Sequence, residues 1–311
     1  ALTYFSEKNT DFNVFECGKG AKYDDVNNIR HDCAVINRIF LEHTRELGDT
    51  LAAIAEDKSH VITGEQKCVY FAEQKPEVLE VLVRRAEAMQ VPYKIYGRDF
   101  QAENIRYTCS GMLFDVVIGD NIYPDLQIPL LGEHQAKNCA LALAVCVDVM
   151  ADLCRKSDPP DIFSETMCNQ IRRQLFAIHH PGRMEILSSD PLVLLDACIN
   201  SASCENVKDV LRHLGISNCT VIVGIPEDKD YAGVVRSMKD VAARIILTRS
   251  GNPHYHFSKN QQETLVQEGI SAEWTDSVKQ ALTLAASFPN PIVILGTTSV
   301  ISEVAQVFRQ S

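Results

Sequence analysis

Residues 12–58 read FNVFECGKGAKYDDVNNIRHDCAVINRIFLEHTRELGDTLAAIAEDK, from Phe12 to Lys58. Two apolar runs in it, 12–17 and 33–37, are each bounded by turn formers, the pattern of short buried strands. The first runs through Glu16 into a loop, Gly18-Lys19-Gly20-Ala21-Lys22-Tyr23-Asp24. Glycines there let the backbone approach a ligand closely. Residues 50–57 read as a helix. Strand, loop, strand and helix in this order open an α/β domain. A carboxylate that ends a strand, as Glu16 is expected to, stands at the sheet edge where open α/β folds bind ligands.

Working outward, 68–71, a helix over 76–89 and 93–96 make a strand-helix-strand unit. Pro76 suits the first helical turn, where its missing N–H costs nothing. Residues 105–128 alternate apolar and polar around Ser110-Gly111 and Gly119-Asp120-Asn121, which predicts β-hairpins. A long apolar helix covers 133–153, Ser157-Asp158-Pro159-Pro160 breaks the chain, and a second helix covers 162–175. His179-His180-Pro181-Gly182 breaks it again, which places a domain boundary between 180 and 181. Beyond it strands at 192–195, 220–223, 245–248 and 292–295 alternate with helices at 204–214, 234–243, 278–287 and 299–308. Short apolar strands with crossover helices imply a mostly parallel sheet covered on both faces. The half from 181 to 311 reads as a complete Rossmann-like domain. The half from 1 to 180 reads as an α/β domain without its beginning.

Composition narrows the function classes. The 311 residues are 46% hydrophobic and 23% charged, with a net charge of -11, as in an ordinary globular protein of two domains. That acidity argues against nucleic acid or an anionic membrane as a partner. The cysteines number eleven, with no C-x-x-C pair, which predicts reduced thiols rather than a zinc ribbon or a disulfide framework. No signal peptide opens the chain, and the longest apolar run, 139–147, is too short to span a bilayer. The expectation is a cytoplasmic, monomeric protein.

Glu16, Gly18, Gly20, Asp24, Asn27, His43, Leu47, Gly48 and Lys58 together resemble the central ATPase domain of the Mur ligase family, in its folylpolyglutamate synthase branch. The resemblance implies a P-loop-type central α/β domain followed by a Rossmann-like C-terminal domain. It implies that Glu16, His43 and Lys58 hold a magnesium ion, with Lys58 carbamylated so that it offers carboxylate-like oxygens to a hard cation. Carbamylation requires a neutral amine, hence a lysine whose pKa is lowered. Glu42 stands where the family has an aspartate before the histidine.

Four further stretches carry the resemblance along the chain. In Leu131-Gly132-Glu133-His134-Gln135-Ala136-Lys137-Asn138, the amides of Gln135 and Asn138 match groups at the family's adenine site, since an amide both donates and accepts. Pro181-Gly182-Arg183 matches the start of the C-terminal domain, where the arginine reaches the nucleotide phosphates through bidentate geometry. Asp196-Ala197-Cys198-Ile199-Asn200 matches Asp-Gly-Ala-His-Asn. Asp196 is expected on the ribose and Asn200 beside the nucleotide, while Ile199 replaces a histidine and can neither donate nor accept. Asp228-Lys229-Asp230 and Gly296-Thr297-Thr298-Ser299 match as fold markers. Lys22, Asp24 and Asn27 are candidates for contact with the carboxylate substrate.

The function these residues imply is ATP-dependent amide-bond formation. ATP phosphorylates a carboxylate, and an amino acid's amine attacks the acyl phosphate, releasing ADP and phosphate. Lys58, His43 and Arg183 are the expected catalytic groups, with ATP and magnesium as cofactors. The family's phosphate-binding loop lies upstream of Glu16 and does not occur in the 311 residues, which predicts little activity from this chain alone. The alternative is a non-catalytic relative acting as a binding or scaffold protein. A dinucleotide enzyme is disfavoured because no Gly-x-Gly-x-x-Gly follows a strand.

Overall fold

The computed structural model describes residues 1–108, 110–154 and 164–310. Its described residues form two compact units, one of 1–102, 116–122 and 137–154, the other of 103–115, 123–136 and 164–310.

The first unit opens on α1 (Leu2–Lys8) and holds a parallel sheet ordered β1 (Cys33–Ile36), β2 (Cys68–Phe71), β3 (Tyr93–Ile95). Between these strands run α2 (Thr44–Leu47), α3 (Leu51–Ser59) and α4 (Pro76–Ala88). Ala34, Ile36, Val69 and Phe71 pack on Ile54 and Ala55 of α3 and on Val78, Val81, Leu82 and Ala86 of α4. Thr50 caps α3 by accepting from the Ala53 N–H at 3.1 Å, which offsets one orphan donor of the first turn. Tyr70 points to the opposite face, donates to Asp148 at 2.6 Å, and Asp148 pairs with Lys94 at 2.6 Å. Burial and that carboxylate both push the Tyr70 phenol up.

The strand expected at 12–17 does not form: these residues are irregular and Val14 is 91% exposed. A strand is stable only when its N–H and C=O groups pair with a neighbour. Among the described residues β1 pairs with β2, and no strand pairs with 12–17.

A second sheet is ordered β4 (Phe100–Thr108), β5 (Gly111–Ile118), β6 (Asn121–Ile128). Gly119 and Asp120 alone join β5 to β6, with Gly119 at φ 56°. So short a link permits only an antiparallel pair. α5 (Glu133–Cys154) follows. The predicted break at 157–160 and the first residues of the helix begun at 162 lie outside the described residues; α6 is seen over Glu165–Phe176.

The third sheet holds the C-terminal half. Its strands are β7 (Glu185–Ser189), β8 (Leu192–Asp196), β9 (Cys219–Gly224), β10 (Ala242–Leu247), β11 (Glu273–Trp274) and β12 (Ile292–Gly296), ordered β11-β10-β9-β12-β8-β7. All neighbours are parallel except β7 with β8. The period-two alternation of a strand divides its residues between two faces. Leu194, Val221, Val223 and Val293 pack on α7 (Ser201–His213), α8 (Tyr231–Met238) and α9 (Asn260–Gln267). Val193, Leu195, Ile222 and Ile294 pack on α10 (Val278–Ala285) and α11 (Thr298–Gln310). Both faces being covered explains why these strands read as unbroken apolar runs. The predicted helix at 234–243 ends instead at Met238, because Ala242 is already paired with Cys219 in the sheet.

Among the described residues no helix is long and apolar enough to cross a membrane. Leu194 is 0% exposed in the third sheet. Leu194→Ala is therefore expected to lower unfolding free energy by about 2–5 kcal/mol, from lost transfer energy and the cavity left behind; urea titration reads this directly.

Candidate functional site

In the first unit the glycine-bearing loop is tied to the helices that follow it. Asp24 accepts from the Gly18 N–H at 2.7 Å and the Val26 N–H at 2.8 Å, and these donors hold its carboxyl below the usual range. Asp57, on α3, accepts from the Ala21 N–H at 2.9 Å. A side chain at Gly20 would collide with the Asp57 carboxylate, so glycine is required by close approach rather than by a turn. Lys58 donates to the Lys19 carbonyl at 3.0 Å and pairs with Glu42 at 3.0 Å. Lys19 in turn pairs with Glu46 at 2.6 Å. Glu42 and Asp57 were not among the expected site residues. Their signal was adjacency, each standing beside a residue that was.

Glu16 is exposed on the irregular segment, and His43 begins α2 at φ 49° with no side-chain cap. Lys58 is engaged as an ammonium, which has no lone pair to offer a metal. Among the described residues no group of three His, Cys, Asp or Glu converges as a metal site. As arranged, Glu16, His43 and Lys58 do not fit a magnesium ion.

The second unit gathers more of the expected residues. Asp196 closes β8 and accepts from the Met184 N–H at 2.9 Å; the Ala197 N–H donates to the Gly182 carbonyl at 2.8 Å. Pro181-Gly182-Arg183 and Asp196-Ala197, 15 residues apart in sequence, are thus one bonded unit. Gly182 sits at φ 69° with the Ile301 side chain 2.7 Å from where a Cβ would stand. Burial raises the Asp196 carboxyl to about 6, against the pull of the Met184 N–H and the Arg183 guanidinium. A cavity of about 240 Å³ opens beside Arg183, lined also by His179, His180, Met184, Glu185 and Ser110.

His134 belongs to the same neighbourhood and was not among the expected site residues. Its ring packs over Gly132, where a Cβ would lie 2.5 Å from it. Burial, with Arg183 nearby, lowers its pKa to about 4, so it is neutral at pH 7. The Gln135 amide lies 3.0 Å from His134 Nε2; a neutral ring can accept that bond. Asn138 lies one turn further along α5, in the first unit. Asn200 caps α7, accepting from the Ser203 N–H at 2.9 Å, and Asp230 accepts from the Ser201 N–H at 2.9 Å. Ile199, in the position of the family histidine, packs against the core on the α7 face.

A raised carboxyl pKa has a defined sign in folding. Between pH 4 and 6 the unfolded chain loses the Asp196 proton while the folded chain keeps it, so stability from this residue falls as pH rises. Asp196→Asn removes that loss and keeps an acceptor for Met184. The stability of the variant minus that of the wild type is expected to rise from pH 4 to 6, by at most about 1.4 kcal/mol per pH unit. Denaturant titrations at several pH values measure it. The opposite slope from His134 is common to both proteins and cancels.

Two family models match the chain: the Mur ligase middle domain over residues 1–146 and the Mur ligase, glutamate ligase domain over 182–296. The folylpolyglutamate synthase of Lacticaseibacillus casei is 26% identical over 303 residues, covering 97% of this chain and 68% of that protein. The dihydrofolate synthase/folylpolyglutamate synthase of Mycobacterium tuberculosis is 28% identical over 261 residues, covering 81% of this chain and 52% of that protein. The chain thus spans only part of the length of the relatives it matches. The Mycobacterium tuberculosis folylpolyglutamate synthase complexed with ADP and AMPPCP superposes with a TM-score of 0.87 at 24% identity, over 99% of this chain and 70% of that one, which establishes the fold. The chain belongs to the Mur ligase family, on its folylpolyglutamate synthase-like side.

Proposed function

We propose that this protein is an ATP-dependent ligase that joins glutamate to a folate-type carboxylate through an acyl phosphate, with 1–180 and 181–311 as its two domains. The observation that carries the reading is the bonded pair of turns at Arg183 and Asp196, where two of the expected nucleotide motifs are held together. Each relative named above is a synthase, and nothing favours a non-catalytic scaffold. A cytoplasmic, monomeric enzyme is part of the same proposal.

In this reading Asp196 accepts from the ribose hydroxyls. Arg183 offsets phosphate charge as it builds on the transferred group. Gln135 meets the adenine edge, and neutral His134 keeps the Gln135 amide in place. Asn200 acts by fixing the first turn of α7 behind the nucleotide. In the same reading Arg183 is the cation set against the nucleotide phosphates. Acyl transfer itself is a matter of positioning and charge neutralisation.

A carbamylated Lys58, and with it magnesium on Glu16, His43 and Lys58, is a separate proposal. It requires Lys58 to leave Glu42 and lose a proton, and no step above is routed through it. Carbon-13 bicarbonate should then give a carbamate carbon resonance in the wild type that is missing in Lys58→Met. No resonance in the wild type would sink the idea.

The nucleotide reading predicts that Arg183→Ala weakens AMPPCP binding about 10- to 100-fold, as expected for loss of a charge-assisted contact. Titration calorimetry on the purified chain measures this, and unchanged affinity contradicts the assignment. Phosphate release that needs ATP, glutamate and a reduced folate together tests the reaction.

A further inference from the structure

The turn that follows Asp196 carries a second chemistry that ligation does not use. Cys198 and Cys204 are both buried, at 2% and 0% exposure, and their sulfurs lie 3.4 Å apart. Cys198 also donates to the Asn200 carbonyl at 3.4 Å, so its sulfur is already turned across the start of α7 toward Cys204. A disulfide requires sulfurs at about 2.05 Å. Residue 198 lies in the loop after β8 and residue 204 in the first turn of α7, so two different elements bring the sulfurs together. Cys198 stands where the matching family motif has alanine.

The geometry points to Cys198 and Cys204 as a reversible dithiol–disulfide site, oxidised by a small peroxide, that fastens the Asp196–Asn200 turn to α7. The step balances as follows. The Cys198 thiolate attacks one peroxide oxygen, the O–O bond breaks, and a sulfenic acid and hydroxide form. The Cys204 sulfur, giving up its proton, then attacks the Cys198 sulfur. An S–S bond forms, the S–O bond breaks and water leaves. Two thiols and one hydrogen peroxide become one disulfide and two waters.

Burial shapes how this site behaves. It excludes bulky disulfide oxidants while leaving a molecule of peroxide size the better candidate for entry. The Cys204 contact, and then burial, keep the Cys198 thiol well above its ordinary pKa, so the first step is slow at neutral pH and quickens as pH rises. The second step is fast, because the resolving sulfur is in contact before any reaction starts. A sulfenic acid formed here is captured before it can climb to sulfinic acid. The effect of the lock on nucleotide affinity rests on the reading of Asp196 proposed above; the disulfide itself does not.

The sequence makes the test clean. No Lys or Arg lies between Arg183 and Lys208, so both cysteines fall in the single tryptic peptide 184–208. The purified, reduced chain is treated with hydrogen peroxide, unfolded, alkylated with iodoacetamide and digested. The expected result is a 184–208 peptide two hydrogens lighter that carries no alkyl group, and that takes two after dithiothreitol. The same peptide taking two alkyl groups without reduction overturns the proposal. So does Cys198 found as sulfinic acid, or either cysteine linked to a different peptide. In Cys204→Ala a dimedone adduct is expected on Cys198, with none in the wild type. The wild-type peptide alone decides the question if that variant does not fold. AMPPCP titration of reduced and oxidised protein separates the two ideas. A disulfide that leaves affinity unchanged counts against the role of Asp196 and leaves the dithiol site standing.

Discussion

Two backbone donors hold the candidate site of the C-terminal half in its form. The Met184 N–H reaches the Asp196 carboxylate at 2.9 Å and the Ala197 N–H reaches the Gly182 carbonyl at 2.8 Å. Together they bind the entry of the third sheet to the end of β8. Everything distinctive nearby depends on that bracket. Arg183 is held between its two ends and beside His134, so one guanidinium acts on both groups, lowering the imidazole and opposing the rise of the carboxyl. An aspartate kept near 6 by burial is costly unless it is hydrogen-bonded, and the bracket supplies the bond. Gly182 has to be glycine for two reasons at once, a positive φ and the Ile301 side chain against it.

The first unit solves a different problem by similar means. Its loop at 18–24 carries no regular structure, yet Asp24, Asp57 and Lys58 each take a backbone group of it as a partner. The loop is therefore positioned by α3 rather than by a strand before it. Lys58 does this work as a cation. The Glu42 partner adds a methylene relative to the family aspartate, and that extra reach is consistent with an ion pair at 3.0 Å. A carbamate at the same nitrogen would reverse its charge and repel Glu42, so structure-holding and metal-holding roles for Lys58 compete directly.

The parallel sheets were legible because they are buried on both faces. Residues 68–71, 219–224 and 292–296 are apolar runs framed by turn residues, and each forms a strand. The helix expected to open on Pro76 does so. What misled was 12–17, an apolar run of the same appearance. Hydrophobic pattern reports a tendency to be buried, and pairing is a property of the neighbour. β7 was missed because Glu185–Ser189 alternates weakly and depends on its antiparallel partner β8. At the candidate site, Arg183 and Asp196 could be named from motifs, but the bonds that tie their turns together could not, since one joins the Met184 N–H to a carboxylate 12 positions on and the other joins backbone atoms 15 positions apart. Asn200 shows the converse: a residue expected at the nucleotide carries a helix cap.

Ile199 illustrates how a departure from a motif acquires meaning only in three dimensions. In sequence it is a lost hydrogen-bonding group; in the fold it is an apolar side chain seated on the α7 core. The turn it belongs to is anchored by packing on one side and by the bracket on the other. The measurement that tests this account most directly is an amide NMR titration of the chain with ADP. The account predicts chemical-shift changes concentrated at Arg183, Met184, Asp196 and Ala197, with the amides of β10 and β11 unmoved. Binding that shifts other residues and leaves those four in place would contradict it.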